Sequence, residues 1–302
     1  MKPLLICIVG PTAVGKTVLG IQIAKHLNTE IVSADSRQIY KGMSIGTASP
    51  TENEQLEAKH HFVNFLDPTT TYSAGDFERD AILFLSEFFK THKVAVMVGG
   101  SGLYVKGVID GFDDLPSDAN IRLTLNNRIE RNGLHSLAEE LTALDPDMAC
   151  KMDLNNPQRV VRALEVCLSS GNTMTSLQKL ASKEREFDVV QVGLEMPRAE
   201  LRNRIAARTH LMIKNGWVAE TQLLASFSEC NSLRTVGYNE LFSYLKEQCS
   251  LDEAQEKIAI KTRQFAKKQM TWFKKDPRVV WFEKKHADKA LQYCLDSASK
   301  HE

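Results

Sequence analysis

The feature that most constrains the fold is the segment Gly10-Pro-Thr-Ala-Val-Gly-Lys-Thr17, which fits the pattern G-x4-G-K-[ST]. It follows the apolar, strand-length run Leu4–Val9 and precedes the helix-length run Val18–Leu27. Between a strand and a helix this pattern is typical of a phosphate-binding turn, because backbone N–H groups and the helix N-terminus face the ligand. We expect the Lys16 ammonium to neutralise a diphosphate and the Thr17 hydroxyl to help to hold Mg2+. We call this segment the phosphate turn, and its predicted binding residues are Gly10, Pro11, Thr12, Ala13, Val14, Gly15, Lys16 and Thr17.

The spacing of apolar residues predicts an α/β fold. Strand-length runs at Leu4–Val9, Glu30–Ala34 and Lys93–Val98 alternate with helical patterns, which is the order of a parallel sheet with crossover helices. We therefore predict a P-loop NTPase-like core with a parallel sheet. Its first part spans 1–116.

The apolar pattern changes in the middle of the chain. From 117 to 184 the apolar residues repeat at helical spacing without a strand-like run, so we predict an all-helical insertion domain there. A strand-like run at Val189–Leu194 then returns the chain to the core. The second part of the core spans 185–302 and contains basic C-terminal helices.

Charge and cysteine content narrow the classes of function. The 38 Lys and Arg residues balance 38 Asp and Glu residues, so contacts to a polyanion must come from local basic patches. One such patch is Lys257–Arg278, which holds eight Lys and Arg residues against one Asp. The six cysteines lack the pair spacing of a structural zinc site, and His60-His61 is interpreted as a polar strand edge. The apolar runs are too short for a secretory or membrane-spanning segment, so we expect a cytoplasmic protein.

The phosphate turn does not fix the reaction, since kinases, GTPases and ATPases share it. The sequence contains neither D-x2-G nor N-K-x-D, which excludes a GTPase. The strand at Lys93–Val98 ends in Gly99-Gly-Ser-Gly102 rather than in the Mg2+-binding Asp of an ATPase, which disfavours a hydrolase. Asp35 follows the strand Glu30–Ala34, at the sheet edge where α/β folds bind ligands. It is either a site carboxylate or a turn aspartate.

Several motifs resemble those of bacterial tRNA dimethylallyltransferases, also called tRNA isopentenyltransferases. The resemblance runs from residue 8 to about residue 282 and therefore covers nearly the whole chain. The matching segments are the phosphate turn, Asp35–Met43, Ile45–Ala48, Tyr72–Phe77, Gly99–Tyr104, Asn156-Pro-Gln-Arg159 with Arg162–Glu165, Arg204 with Arg208, Val236–Tyr238 and Thr262–Trp272.

The resemblance implies alkyl transfer from dimethylallyl diphosphate to the N6 amine of the adenosine directly 3′ of the anticodon in tRNA. In this family the aspartate that matches Asp35 is the general base for the attacking amine. Arg208 matches an arginine that binds the diphosphate, together with Lys16, Thr17 and Mg2+. The implied catalytic residues are therefore Asp35, Lys16 and Arg208. A phosphate turn that holds a leaving group has no hydrolytic water to position, which agrees with the missing ATPase carboxylate.

The same resemblance implies contacts to a tRNA anticodon stem-loop, with no membrane and no obligate protein partner. The segment Pro116–Arg122 is one residue shorter than the family pattern, so the assignment of Arg122 rests on an imperfect match. The implied tRNA-binding residues are Asp35, Ser36, Arg37, Gln38, Ser101, Arg122, Gln158, Arg159, Val160, Val161, Arg162, Arg234, Thr235, Val236, Gly237, Tyr238 and Asn239.

Three other functions stay open at this stage. An isopentenyltransferase acting on free AMP or ADP would share the first motifs but needs no helical insertion, and Asn156-Pro-Gln-Arg159 disfavours it. A P-loop kinase would use Arg204 and Arg208 on a transferring phosphoryl group, although two arginines four residues apart also occur on a solvated helix face. A non-catalytic RNA-binding module would leave the phosphate turn and Asp35 without a role.

Overall fold

The computed structural model describes residues 1–178 and 182–301. Within these residues the strands form one six-stranded sheet with the order β3-β2-β4-β1-β5-β6, and every neighbouring pair is parallel. This confirms the predicted α/β core with a parallel sheet. The strands are β1 (Leu4–Val9), β2 (Ile31–Ala34), β3 (His60–His61), β4 (Val94–Gly99), β5 (Asp188–Glu195) and β6 (Val279–Glu283).

Helices connect the strands and form the middle of the chain. In chain order they are α1 (Lys16–His26), α2 (Glu52–Glu57), α3 (Ala74–Phe88), α4 (Gly102–Asp110), α5 (Ala119–Asn132), α6 (His135–Leu144), α7 (Pro146–Lys151), α8 (Pro157–Ser170), α9 (Met174–Leu177), α10 (Arg198–Lys214), α11 (Trp217–Leu223), α12 (Tyr238–Leu245), α13 (Leu251–Phe273) and α14 (Ala287–Ala298).

The chain divides into two compact units. The first unit comprises Met1–Ile109 and Glu184–Glu302, and the second comprises Asp110–Lys183. The second unit begins before the predicted limit of 117, because Arg162 of α8 donates hydrogen bonds to the carbonyl oxygens of Leu115 and Pro116. Residues 179–181 of the predicted insertion and residue 302 of the last predicted core segment lie outside the described residues.

The position of β1 determines where the first unit can bind a ligand. Leu4, Ile6 and Ile8 pack into one apolar cluster with residues of α1 and α14, while the alternate residues of β1 pack into another cluster with α3 and α4. Because β1 is buried on both faces, only its ends are open to a ligand. In a parallel sheet the carboxyl ends of the strands meet at one edge, so the segments after β1, β2, β4 and β6 come together there.

The second unit has a hydrophobic core of its own, formed by residues of α5, α6, α7 and α8. The buried members of this core are Leu125, Leu137, Leu141, Met148, Val160, Val161, Ala163 and Leu164. Asp145 caps the start of α7 by accepting a hydrogen bond from the Met148 N–H at 3.1 Å. The same carboxylate accepts the Thr175 hydroxyl at 2.7 Å and so ties the start of α9 to α7.

Candidate active site

The phosphate turn connects β1 to α1 through an irregular backbone. Gly10, Ala13 and Gly15 have φ angles of 135°, 65° and 105°. Ala13 is therefore held in the left-handed region, which costs free energy for a residue with a Cβ. Gly15 caps α1 without a side chain, so the first N–H groups of that helix are left for a ligand. The backbone thus has the form of an anion-binding turn.

Lys16 is the cation at the centre of the turn. Its Nζ donates hydrogen bonds to the carbonyl oxygens of Gly10 at 3.0 Å and Pro11 at 2.8 Å. Burial lowers the pKa of Lys16 to about 8, with the Asp35 carboxylate acting to raise it and the Arg208 guanidinium to lower it further. A bound diphosphate would favour the charged form and would raise this pKa. Lys16 is therefore placed to neutralise phosphate oxygens.

Helix α10 brings two arginines to the phosphate turn. Arg204 Nε donates a hydrogen bond to the Ala13 carbonyl oxygen at 3.0 Å, which supports the strained backbone of that residue. Arg208 Nη1 lies 3.4 Å from Thr12 Oγ1. Burial lowers the pKa of Arg208, yet the guanidinium stays charged at neutral pH. The two arginines thus contact the turn and are not merely a solvated helix face.

Asp35 follows β2, and its two carboxylate oxygens have different surroundings. Oδ1 accepts the N–H groups of Arg37 at 2.9 Å and Gln38 at 3.4 Å, as the oxygen of a turn aspartate does. Within the described residues Oδ2 accepts no hydrogen bond. Asp35 follows β2 at the same edge of the sheet as the phosphate turn after β1, and its charge acts to raise the pKa values of Lys16 and Arg208. One oxygen fixes the loop and the other is available to a substrate.

Hydrogen bonds link the three segments that follow β1, β2 and β4. Ser101 Oγ accepts the Ser36 N–H at 2.9 Å and so joins the segment after β4 to the residue next to Asp35. Gln269 of α13 accepts the Thr12 N–H at 2.8 Å and donates to the Gly100 carbonyl oxygen at 2.9 Å. The phosphate turn, the glycine-rich segment and the Asp35 loop therefore form one connected network.

Two residues of this site have no role in the interpretation of the sequence. Gln269 lies inside the segment Thr262–Trp272 that resembles the family, but the resemblance implied no contact for it. Lys284 follows β6, and a Cβ built on Gly15 would lie 2.9 Å from its Cε and 3.7 Å from its Nζ. The signal for Lys284 was available, because a cation directly after a parallel strand falls at the ligand-binding edge of the sheet.

Several predicted tRNA-binding residues of the first unit already have side-chain partners within it. Arg37 Nη1 donates to the Asn231 carbonyl oxygen at 2.8 Å, and the Gln38 amide donates to Ala48 O at 3.0 Å. Arg234 pairs with Glu229, while Tyr238 is buried and donates its hydroxyl to Glu220 at 2.6 Å. Thr235, Val236 and Gly237 form the loop before α12, and Asn239 lies in its first turn. Their contacts to tRNA stay predictions.

In the second unit, Arg122 and Arg162 share one carboxylate. Glu165, whose side chain is 1% exposed, accepts Arg122 Nη2 at 2.6 Å and Arg162 Nη1 at 3.0 Å. It also accepts the Asp118 N–H at 3.0 Å. Burial acts to raise the pKa of Glu165, but the two arginines and this N–H outweigh burial and lower it. Both arginines therefore hold α5 and the preceding segment on α8.

The remaining predicted residues of α8 divide by burial. Val160 and Val161 are core residues, whereas Gln158 and Arg159 are exposed. Within the described residues the Arg159 side chain makes no ion pair and no hydrogen bond, while its N–H is bonded by Asn156, which caps α8. Of the two predicted tRNA-binding arginines of α8, Arg159 is therefore the one whose side chain makes fewer contacts within the protein.

The basic patch Lys257–Arg278 is only partly available to a polyanion. Lys261 pairs with the buried Glu240 at 2.6 Å, and Lys274 pairs with Glu195 at 2.9 Å. Arg278 pairs with Asp276 at the end of the patch. In the part of the chain that the structure describes, the remaining cations form no ion pair; they are Lys257, Arg263, Lys267, Lys268 and Lys275.

The side chains at the turn fit a Mg2+ ion that is held mainly by phosphate oxygens. Among the described residues no group of three His, Cys, Asp or Glu side chains could hold a metal ion. Thr17, in the first turn of α1, makes no side-chain hydrogen bond to another described residue, so its hydroxyl is free to act as a ligand. Mg2+ at phosphate sites commonly takes one or two protein ligands together with substrate oxygens and water.

A parallel sheet with a phosphate turn after its central strand, four cations around that turn and a carboxylate beside it define a P-loop-type α/β enzyme. The family model of the IPP transferases matches residues 38–276. The tRNA dimethylallyltransferase of Christiangramia forsetii is 48% identical over 284 residues, which are 94% of each chain. The tRNA dimethylallyltransferase 1 of Bacteroides thetaiotaomicron is 42% identical over 96% of this chain and 95% of its own. The chain belongs to the IPP transferase family, as the sequence motifs predicted.

Solved structures of the family share this fold over nearly the whole chain. The tRNA isopentenylpyrophosphate transferase of Bacillus halodurans has a TM-score of 0.74 at 33% identity and covers 99% of this chain and 98% of its own. A eukaryotic dimethylallyltransferase acting on tRNA has a TM-score of 0.78 at 24% identity, which shows a common fold. Among the described residues of this chain, no helix is long and apolar enough to cross a bilayer.

Proposed function

We propose that this enzyme transfers the dimethylallyl group of dimethylallyl diphosphate to the N6 amine of the adenosine directly 3′ of the anticodon in tRNA, in the cytoplasm. The observation that carries the proposal is the juxtaposition of a phosphate turn with Asp35, whose Oδ2 is unpartnered among the described residues. Such a pair suits a reaction in which a diphosphate leaves while a weakly basic amine loses a proton. The tRNA-modifying relatives support the choice of acceptor.

In the proposed reaction the N6–C1 bond forms as the bond between C1 and the diphosphate oxygen breaks. The electron pair of the broken bond stays on the diphosphate. The amine proton passes to Asp35 Oδ2, because a general base within hydrogen-bond reach of the amine can accept it. The Oδ1 contacts to the N–H groups of Arg37 and Gln38 keep the carboxylate oriented during this transfer.

The cations around the phosphate turn stabilise the leaving group. Lys16 and Arg208 meet the charge that grows on the diphosphate, and preorganised donors of this kind act most strongly on charge that develops in the transition state. When Mg2+ is bound, Thr17 would hold it, and the ion would neutralise phosphate oxygens.

The acceptor adenine has to leave its stack to reach Asp35, as bases generally do before chemistry on their edges. Unstacking costs a few kcal/mol, which contacts to the anticodon stem-loop would offset. A free nucleotide needs no such contacts.

The test uses dimethylallyl diphosphate labelled in the alkyl group, with an anticodon stem-loop, free AMP and free ADP as separate acceptors. We expect label on the stem-loop, and Asp35→Asn should lower kcat roughly 100- to 10,000-fold because the amide cannot take the proton. Asp67→Asn is the matched control, since Asp67 Oδ1 accepts the Thr69 N–H at 2.9 Å in a similar turn. Label on AMP or ADP alone would favour the free-nucleotide enzyme. ATP labelled in its terminal phosphate serves as a second donor. Transfer of that phosphate to an acceptor, without alkyl transfer from dimethylallyl diphosphate, would favour a kinase.

A further inference from the structure

Gln269 of α13 is a buried amide that joins two loops distant in sequence. Its side chain is largely inaccessible, with 6% of the residue exposed. Oε1 accepts the Thr12 N–H at 2.8 Å, and Nε2 donates to the Gly100 carbonyl oxygen at 2.9 Å. The first contact holds the phosphate turn after β1, and the second holds the glycine-rich segment after β4.

The two contacts require an amide of this length. One partner is an N–H donor and the other is a carbonyl acceptor, so the bridging side chain must accept at one atom and donate at the next. A Cβ built on Gly100 would collide with Gln269 Nε2 and would lie 3.7 Å from Lys16 Nζ. The absence of a side chain at position 100 thus lets the amide approach the backbone beside the lysine of the phosphate turn.

The amide belongs to a continuous path between the two reacting halves of the site. On one side Thr12 is followed by the rest of the phosphate turn. The Thr12 hydroxyl lies 3.4 Å from Arg208 Nη1. On the other side Gly100 is followed by Ser101, which accepts the Ser36 N–H at 2.9 Å beside Asp35. Gln269 is therefore the link between the diphosphate-binding turn and the loop of the carboxylate.

We infer that Gln269 is a positioning residue for alkyl transfer, an inference that rests on the function proposed above. It fixes the separation between the diphosphate at the phosphate turn and the proton acceptor at Asp35. The reaction needs the amine, C1 and the leaving oxygen in line, with the carboxylate in reach of the amine proton. Displacement of such groups by about 1 Å can lower a rate by roughly 100-fold.

Two substitutions separate this role from simple packing. Gln269→Met keeps the size of the side chain and removes both hydrogen bonds, so we expect kcat to fall roughly 10- to 100-fold with little change in the KM for tRNA. Gln269→Glu can still accept from Thr12 but cannot donate to Gly100 while it is ionised. Its negative charge also lies near the diphosphate, so we expect the KM for dimethylallyl diphosphate to rise as well as kcat to fall.

The pH dependence of Gln269→Glu gives a readout that lost packing would not change. A protonated carboxylic acid has the same acceptor and donor arrangement as the amide, so protonation restores both contacts. The ratio of the Gln269→Glu rate to the wild-type rate should therefore increase as the pH falls from 8.5 to 5.5.

The experiment measures alkyl transfer to the stem-loop for both variants, with Gln222→Met and Gln222→Glu as controls at an exposed glutamine of α11. Rates are divided by the concentration of folded enzyme at a temperature below each melting transition. A wild-type kcat in Gln269→Met, or a flat rate ratio for Gln269→Glu across the pH range, would overturn the inference. If the wild type transfers no label to tRNA, the proposed function fails instead, so the two failures are distinguishable.

Discussion

Donor binding should depend on pH through Lys16. In the ligand-free enzyme the pKa of Lys16 is lowered to about 8, chiefly by burial. Only the charged form of Lys16 can neutralise a diphosphate. The terminal phosphate loses its last proton with a pKa of about 6, so the diphosphate itself is ionised above that pH. A pKa of about 8 leaves about nine-tenths of Lys16 charged at pH 7 and about one-tenth at pH 9.

The affinity for dimethylallyl diphosphate should therefore be constant near pH 7 and fall about tenfold by pH 9, which corresponds to about 1.4 kcal/mol. The sign follows from the lowered pKa: loss of the proton begins inside the working range, whereas an unperturbed lysine would stay charged to above pH 10. Bound diphosphate raises the pKa of Lys16, so a proton is taken up on binding at pH 8 to 9.

The assay is titration calorimetry with dimethylallyl diphosphate in the absence of tRNA, at constant ionic strength from pH 6.5 to 9.5. Two buffers of different ionisation enthalpy report the proton uptake. Lys16→Arg keeps a charge that does not titrate in this range and should bind with a flat profile, and Lys16→Met should bind weakly at every pH. Equal affinity of the wild type at pH 7 and pH 9, without proton uptake, would refute the reasoning. A parallel decline in Lys16→Arg would assign the effect to another group.

Two further substitutions have matched controls in the chain. Arg159→Ala should weaken stem-loop binding and lower its salt dependence without a change in the melting temperature, because this exposed arginine has no ion-pair partner among the described residues. Arg162→Ala should destabilise the second unit by about 1–3 kcal/mol, because it removes one partner of the buried Glu165. Equal melting curves for the two variants would contradict this difference. Lys284→Ala should raise the Kd for diphosphate about 3- to 10-fold, because this lysine lies beside Gly15 of the phosphate turn. Lys285→Ala removes an exposed lysine paired with Glu283 and should leave the Kd unchanged. Identical calorimetric titrations for the two variants would show that Lys284 does not contribute to diphosphate binding.

Periodicity located the elements that bury large apolar side chains more reliably than those rich in glycine and other small residues. The predicted strand Leu4–Val9 has the limits that the structure gives to β1, and the helix-length run Val18–Leu27 corresponds to α1, Lys16–His26. The helix α4, Gly102–Asp110, was not predicted, because its first residues continue a glycine-rich segment. The helix α14 also went unpredicted, although Ala290, Cys294 and Ala298 recur every four residues and pack into the core that contains β1. Small side chains give a weak periodic signal even where they are fully buried.

The motif of the phosphate turn also predicted the local backbone, a turn between β1 and α1 that leaves the first N–H groups of the helix without a side-chain cap, because these groups belong to the local chain. It did not predict which side chains from distant segments complete the site. Gln269 and Lys284 reach the turn only because α13 and β6 pack beside it. Contacts of this kind depend on tertiary packing, and the spacing of residues in one segment contains no information about a partner more than 200 residues away.

Charge counts have the same limit, and here it changes the expected electrostatics of tRNA binding. A count over Lys257–Arg278 gives every cation equal weight, but Glu240 and Glu195 neutralise two of them from other segments. In the second unit the single carboxylate of Glu165 pairs with both Arg122 and Arg162 and offsets one of their two charges. The salt dependence of binding follows the number of phosphates that cations neutralise. The slope for the wild type should therefore be shallower than the sequence charge implies, since each internally paired cation must give up its carboxylate before it can pair with a phosphate.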